Sequence, residues 1–339
     1  EKGRIRQSIQ NCKYVLEYDP CLRGAVCRNE MNCQIDIKKK VPWKRRGVQM
    51  TDTDMNNLSL YLEKNYGLTS DRVIAKAIDT VANDNSFHPI IDLLESLKWD
   101  GRPRISGMLT HFFGAENPEY AGEVMKIHML AAISRLYEPG KKYDIMLCLV
   151  GGQGTGKSTF FKYLAIQDEW FTDDLKKLDD DNVFRKMQGH WIVEMSEMIA
   201  TANAKSIEDI KSFLSRQKET YKVPYDKQPD DRLRQCVFGG TSNTLDFLPL
   251  DRTGNRRFLP IMVYPEKAEV HIMADEKASR AYIEQMWAEA MVIYKSKQYQ
   301  LSLSKEMDQY LKEFQKQFMP EDTKAGMIQG FLDSYKGNM

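Results

Sequence analysis

No run of the chain approaches the roughly 20 consecutive apolar residues that a bilayer-spanning helix needs. The opening EKGRIRQSIQ also lacks the apolar core of a secretory signal. A membrane role has no support at this level, and a cytoplasmic location is expected. The six cysteines contain no C-x-x-C pair: Cys12, Cys21, Cys27 and Cys33 stand at gaps that do not suit a zinc ribbon, and Cys148 and Cys236 lie inside apolar runs as small core residues. His88, His111, His128 and His190 fall at neither metal-ligand nor triad spacing, and no G-x-S-x-G occurs. Histidine-metal or triad-type hydrolytic chemistry therefore has no basis. Charge of one sign is not in excess either. Lys+Arg 49 stand against Asp+Glu 48, a formal net charge of +1, so any nucleic-acid contact must be a local patch and not a global field. Internal repeats and low-complexity segments are missing too. The chain begins at Glu1 instead of Met, so the natural start is expected to lie outside it, and whether an upstream domain precedes it stays open.

What is present is an ordinary globular composition over 339 residues, 42% apolar and 29% charged, with room for two or three domains. Residues 1–104 read as a small α+β accessory module. KYVLEY (13–18) and AVCRNE (25–30) are strand-like, whereas MNNLSLYLEKNYG and SDRVIAKAIDTVANDN are helical, the latter with Val73, Ala77, Ile78 and Val81 at helical spacing. WDGRPRI (99–105) carries turn signals and reads as a connector. Residues 105–268 form an α/β core. A long helix is expected over Pro118–Tyr137 with Asn117 as its cap, and IMLCLV (145–150) is a continuous apolar run of the kind buried on both faces of a parallel sheet. WIVEM (191–195) and QCVFGGTSN (235–243) are further strands between helical stretches. From 269 to 339 the chain turns helical and amphipathic, with Ile283, Trp287 and Met291 along one row.

The apolar run IMLCLV leads straight into Gly151-Gly152-Gln153-Gly154-Thr155-Gly156-Lys157-Ser158-Thr159, which fits G-x-x-x-x-G-K-[ST] at every fixed position. Its glycines let backbone N–H groups close around phosphates, the Lys157 ammonium reaches the β/γ oxygens, and the Ser158 hydroxyl suits Mg²⁺. The phosphates would also face a helix N-terminus. ATP or GTP binding is the expectation. Hydrolysis needs a carboxylate for the metal and a group that positions water. WIVEMSEM offers Glu194 at the end of an apolar strand and Glu197 three residues on; Asn243 ends another strand, and Arg256-Arg257 follow a Thr-Gly-Asn turn.

In this order the segments HPIIDLLESLKWDG, YEPGKKYDIMLCLVGGQGTGKSTF, WIVEMSEM, IKSFLSRQKETYKVPYD, FGGTSN and TGNRRFLPI resemble the virulence-associated protein E family of phages and phage-related chromosomal islands. Through it the chain is similar to superfamily-three helicases and phage primase-helicases of the AAA+ class. The resemblance implies a P-loop AAA+ sheet with helices on both faces, a homo-hexameric ring with ATP and Mg²⁺ at each interface, and single-stranded or forked DNA in the channel. It implies the cytosol of a bacterial or phage-infected cell, and a primase or replication-initiator partner. It would place Lys157 and Ser158 on the phosphates and metal, Glu194 and Glu197 in the acidic motif, Asn243 at the sensor position, and Arg256 or Arg257 as a finger reaching into the neighbouring subunit. Those helicases usually carry adjacent acids, whereas E-M-S-E leaves the division between Glu194 and Glu197 open.

Two basic stretches suit nucleic acid. Lys218, Tyr221, Lys222, Tyr225 and Lys227 mix cations with aromatics where related helicases hold a channel hairpin, and fit either a DNA contact there or a solvated basic hairpin. IKKKVPWKRRG (37–47) surrounds Trp43 with cations and fits either an accessory DNA contact or a solvated loop. The function expected is an ATP-dependent DNA helicase or translocase supporting replication of a mobile element. The alternatives are an ATP-gated DNA-binding assembly or initiation factor that unwinds nothing, and a duplex-packaging ATPase.

Overall fold

Ser8 opens the first helix: its hydroxyl accepts from the Asn11 amide at 3.2 Å, and helix α1 then runs Ile9–Tyr18 with Cys12 and Leu16 buried one turn apart. The expected strand KYVLEY is therefore the second half of a helix. Alternation over six residues outweighed the i, i+4 pair Cys12/Leu16, half of which lies outside that window. The computed structural model describes residues 5–175, 178, 183–196, 204–221, 230–245, 247–248 and 255–319. The chain divides into the units Glu1–Leu93 and Leu94–Met339.

In the first unit, strands β1 (Val26–Arg28) and β2 (Ile35–Ile37) form an antiparallel pair. Helix α2 (Asp52–Tyr66) starts at a capping box between Thr51 and Asp54 and stops at Gly67. Helix α3 (Asp71–Asp84) turns Ile74, Ala77, Ile78, Val81 and Ala82 inward. These faces meet Leu16, Leu22, Val26 and Leu58 in one core. Helix α4 (Pro89–Ser96) follows.

The second unit continues with α5 (Met108–Phe113) and α6 (Pro118–Tyr137), the latter capped by Asn117, which accepts from the Tyr120 amide at 3.0 Å. Then come β3 (Met146–Val150), α7 (Lys157–Leu164), β4 (Phe171–Thr172), α8 (Val183–Met187), β5 (Ile192–Ser196) and α9 (Ala204–Ser215). A hairpin of β6 (Lys218–Tyr221) and β7 (Asp230–Leu233) precedes β8 (Val237–Ser242) and β9 (Phe258–Met262); α10 (Glu276–Ser296) and α11 (Lys305–Phe314) follow. Five strands form one parallel sheet in the order β4-β5-β8-β3-β9, so the strand feeding the glycine loop lies inside the sheet. This is the P-loop α/β sheet of AAA+ type expected from the sequence, with the loop at the carboxyl ends of the strands.

The two sheet faces divide cleanly. Met146, Cys148, Val150, Val193, Met195 and Phe238 pack with Ile207, Ile210, Phe213 and Leu214 of α9. The opposite face receives α6 and α7, with α10 packed against both helices. There the Trp191 and Trp287 rings lie 4.3 Å apart, and their indole N–H groups donate to the Ala132 and Leu164 carbonyls. Buried Arg135 of α6 donates to the Lys141, Tyr143 and Cys236 carbonyls, pinning the approaches to β3 and β8.

Candidate functional site

The register of the sheet assembles the site. Val150 pairs with Ser242, so Gly151 and Asn243 leave neighbouring strands side by side, and the Gly151 amide donates to the Ser242 carbonyl at 3.1 Å. Gly154 and Gly156 hold φ of 78° and 84°, left-handed values open to glycine at little cost, and they let the chain turn into α7. Thr155 closes the turn by donating its hydroxyl to the Gly152 carbonyl at 3.1 Å.

Lys157 bends back along this loop. Its Nζ donates to the carbonyls of Gly151 at 2.8 Å and Gly152 at 2.6 Å, and to Asn243 Oδ1 at 3.0 Å. Burial lowers its pKa from the ordinary lysine value, and the charge of Glu194 offsets part of that effect. The next residue, Ser158, donates its hydroxyl to Glu194 Oε1 at 2.7 Å, and Thr241 of β8 donates to the same oxygen at 2.7 Å. Glu194 on β5 is 0% exposed, and its Oε2 has no hydrogen-bond partner. Burial raises its pKa, while the Ser158 and Thr241 bonds pull the other way. A buried carboxylate oxygen without a donor, beside a serine hydroxyl, is an acceptor set for a hard cation.

Gly239 explains how α7 comes close enough. It faces Glu194 across the β5–β8 register, and a Cβ there would run into the Phe161 ring of α7. Nothing in FGGTSN shows why residue 239 must be glycine, since the need arises only when α7 lies over β8.

The two arginines after the Thr-Gly-Asn turn part ways. Arg257 Nε bonds Asp144 Oδ2 at 3.0 Å and Ser215 Oγ at 3.2 Å, so it is tied into its own unit. Arg256 is exposed and has no hydrogen-bond or ionic partner among the described residues. Gly151, Gly152, Gln153, Gly154, Thr155, Gly156, Lys157, Ser158, Thr159, Glu194 and Asn243 gather around one loop; Glu197 lies outside the described residues.

Of the hairpin candidates, Lys218 is exposed and ion-paired with Asp231 on the facing strand, and Tyr221 pairs in register with Asp230. Lys222, Tyr225 and Lys227 lie outside the described residues. The base of the hairpin holds a feature that sequence reading missed. Buried Arg234 donates through Nε to Glu219 Oε1 at 2.5 Å and through Nη1 to the Phe213 carbonyl at 2.6 Å, with its guanidinium 4.4 Å from the Phe213 ring centre. Burial raises the Glu219 pKa against the pull of Arg234.

In the first unit, the basic run 37–47 is partly inward. Arg45 donates to Asp54 and to the carbonyls of Ile37, Gly47, Val48 and Gln49, and Trp43 Nε1 donates to Asp54 Oδ1 at 2.9 Å. Burial alone would raise the Asp54 pKa, but these bonds and those from Thr51 hold it at about 2. Lys38, Lys39, Lys40, Lys44 and Arg46 stay exposed.

Comparison with known proteins places these residues in context. The sequence profile of the Virulence-associated protein E-like domain matches residues 94–320, a span that contains the loop, Glu194, Asn243 and both arginines. Among solved structures, the A-form apo structure of the NrS-1 C-terminal region superposes with a TM-score of 0.50 at 16% identity, covering 84% of this chain and 68% of that one. Another structure of the same region gives 0.50 at 14%, covering 90% and 71%. At such identities the likeness speaks to the fold. No curated protein matches the chain. No described helix is long and apolar enough to cross a membrane.

Proposed function

The chain belongs to the virulence-associated protein E-like family, and from that premise we propose that it is a nucleoside triphosphatase that drives a helicase or translocase on single-stranded or forked DNA during replication of a phage or chromosomal-island element. The observation that carries the nucleotide reading is the contact of Ser158 with buried Glu194 directly behind the glycine loop. Lys157 supplies the cation for the β/γ oxygens, and its present partners, two loop carbonyls and Asn243, are groups that phosphate oxygens would displace. Ser158 and Glu194 Oε2 fit a magnesium ion, which usually takes one or two protein oxygens and completes its shell with phosphate and water. When bound, that ion neutralises charge on the transferring phosphoryl group. Asn243 is the proposed sensor of the terminal phosphate or of the attacking water, a role supported by its hydrogen bond to Lys157. Glu197, next along the chain from β5, is the proposed base.

Arg256 is the proposed finger toward a neighbouring subunit, because Arg257 is already engaged within the chain. DNA contact is assigned to the hairpin carrying Lys218 and Tyr221 and to the residues Lys222, Tyr225 and Lys227 that follow. The family premise suggests a ring, proposed as a hexamer. The test is fluorescent-nucleotide binding with and without Mg²⁺. Lys157→Ala should abolish binding, whereas Ser158→Ala and Glu194→Gln should bind nucleotide but lose the strengthening by Mg²⁺. Binding by wild type that ignores Lys157→Ala would sink the reading.

A further inference from the structure

The two ends of the glycine loop differ in what faces them. At one end Lys157 Nζ, Asn243 Oδ1 and buried Glu194 gather, a chemistry suited to the terminal phosphate and its metal. At the other lies the segment His271–Met273, which leads into α10. A Cβ on Gly156 would come 2.5 Å from Ile272 Cγ2 and 3.8 Å from His271 Cε1. The Thr159 hydroxyl donates to Met273 Sδ at 3.4 Å. The segment is fixed from behind: buried Ser279 of α10 donates to the Ile272 carbonyl at 2.8 Å, and the Ala274 amide donates to the His271 carbonyl at 2.8 Å. The Met273 amide donates to His271 Nδ1 at 3.3 Å, which fixes the ring's orientation. Ile272 is buried, but Met273 is 47% exposed and Val270 41%. Two exposed apolar side chains thus stand within four residues of each other, beside a loop built for anions.

We propose that His271 and Met273 form the seat for the nucleobase of the bound nucleoside triphosphate, an inference that rests on the nucleotide reading of the loop. A triphosphate whose terminal group lies among Lys157, Asn243 and Glu194 must direct its nucleoside away from them, toward Gly156 and Thr159. The side chains waiting there are a planar ring and a polarisable thioether, which match the apolar faces of a base. The segment's anchorage to α10 through Ser279 makes the seat rigid, so base contact ties α10 to nucleotide occupancy.

The test is calorimetric binding of ATP, GTP and inorganic tripolyphosphate to the full chain. The variants are the double substitution His271→Ala/Met273→Ala, the ring-keeping His271→Phe, and Lys157→Ala, each checked for an unchanged melting temperature. The double variant should lose roughly tenfold in affinity for the better of ATP and GTP, the scale of one base–side-chain stack. Tripolyphosphate affinity should be unchanged, and His271→Phe should bind the nucleotide like wild type. Equal losses for nucleotide and tripolyphosphate would mean that the segment only supports the loop and would overturn the seat, as would an unaffected nucleotide affinity. If wild type binds neither ATP nor tripolyphosphate, or if Lys157→Ala changes neither, the nucleotide reading itself fails.

Discussion

A carboxylate shut off from water with one oxygen unpartnered is costly to keep, and Glu194 is such a group: Ser158 and Thr241 reach only its other oxygen. Its raised pKa has a definite sign. Folding disfavours the ionised form, so the cost is present at neutral pH and is relieved as pH falls through the folded value. Glu194→Gln should accordingly raise the melting temperature of the nucleotide-free protein while abolishing the proposed hydrolysis, the trade expected where stability is given up for function. A lower melting temperature in that variant would argue for a purely structural glutamate. His128 of α6 tests burial in the opposite sense. Burial lowers its pKa from 6.5 to about 4, and neither ring nitrogen has a partner among the described residues. The unfolded chain takes up this proton below about pH 6.5 and the folded chain does not until about pH 4. Stability should be full above that window and fall through it by up to about 3 kcal/mol. Denaturant midpoints against pH should show the slope in wild type and its loss in His128→Leu. Gly239 was legible only in part: its place in FGGTSN is plain from sequence, but its reason, the Phe161 ring against the strand, is tertiary. Gly239→Ala should push α7 off β8, lowering both the melting temperature and nucleotide affinity.

At the scale of elements, the strand–loop–helix unit was readable because its signals are local: an apolar run, glycines at fixed spacing, then helix formers. Helix α1 was misread for the same reason in reverse, since its buried face, Cys12 and Leu16, extends beyond the six residues that suggested alternation. The hairpin base was not readable at all. Arg234 and Glu219 look like two more charges in a charged stretch until β6 and β7 pair, both become buried and Arg234 lies over the Phe213 ring. Removing one partner of such a pair costs about 3–5 kcal/mol because the other is left buried and uncompensated. Arg234→Ala should therefore separate β6 from β7 and loosen their junction with β8, read as lost amide protection over 218–221 and 230–237. Protection equal to wild type would show that the pair does not hold the element. Separating Arg256 from Arg257 likewise needed the fold, because only the packed sheet brings Asp144 and Ser215 to Arg257.

For the whole molecule, the division of the arginines makes a claim about assembly. Arg257→Ala removes bonds within one chain and should lower the melting temperature. Arg256→Ala should leave the melting temperature unchanged and reduce turnover, because its partner is proposed to be a phosphate held by the next subunit, where such arginines contribute about 10³- to 10⁵-fold in rate. Turnover per chain should also rise with protein concentration as subunits meet. The most direct measurement of the central claim is steady-state ATP hydrolysis at assembling concentration, with and without single-stranded DNA, for wild type, Glu194→Gln and Arg256→Ala. The account predicts DNA-stimulated turnover in wild type that is lost in both variants; hydrolysis indifferent to DNA, or unchanged in Arg256→Ala, would contradict it.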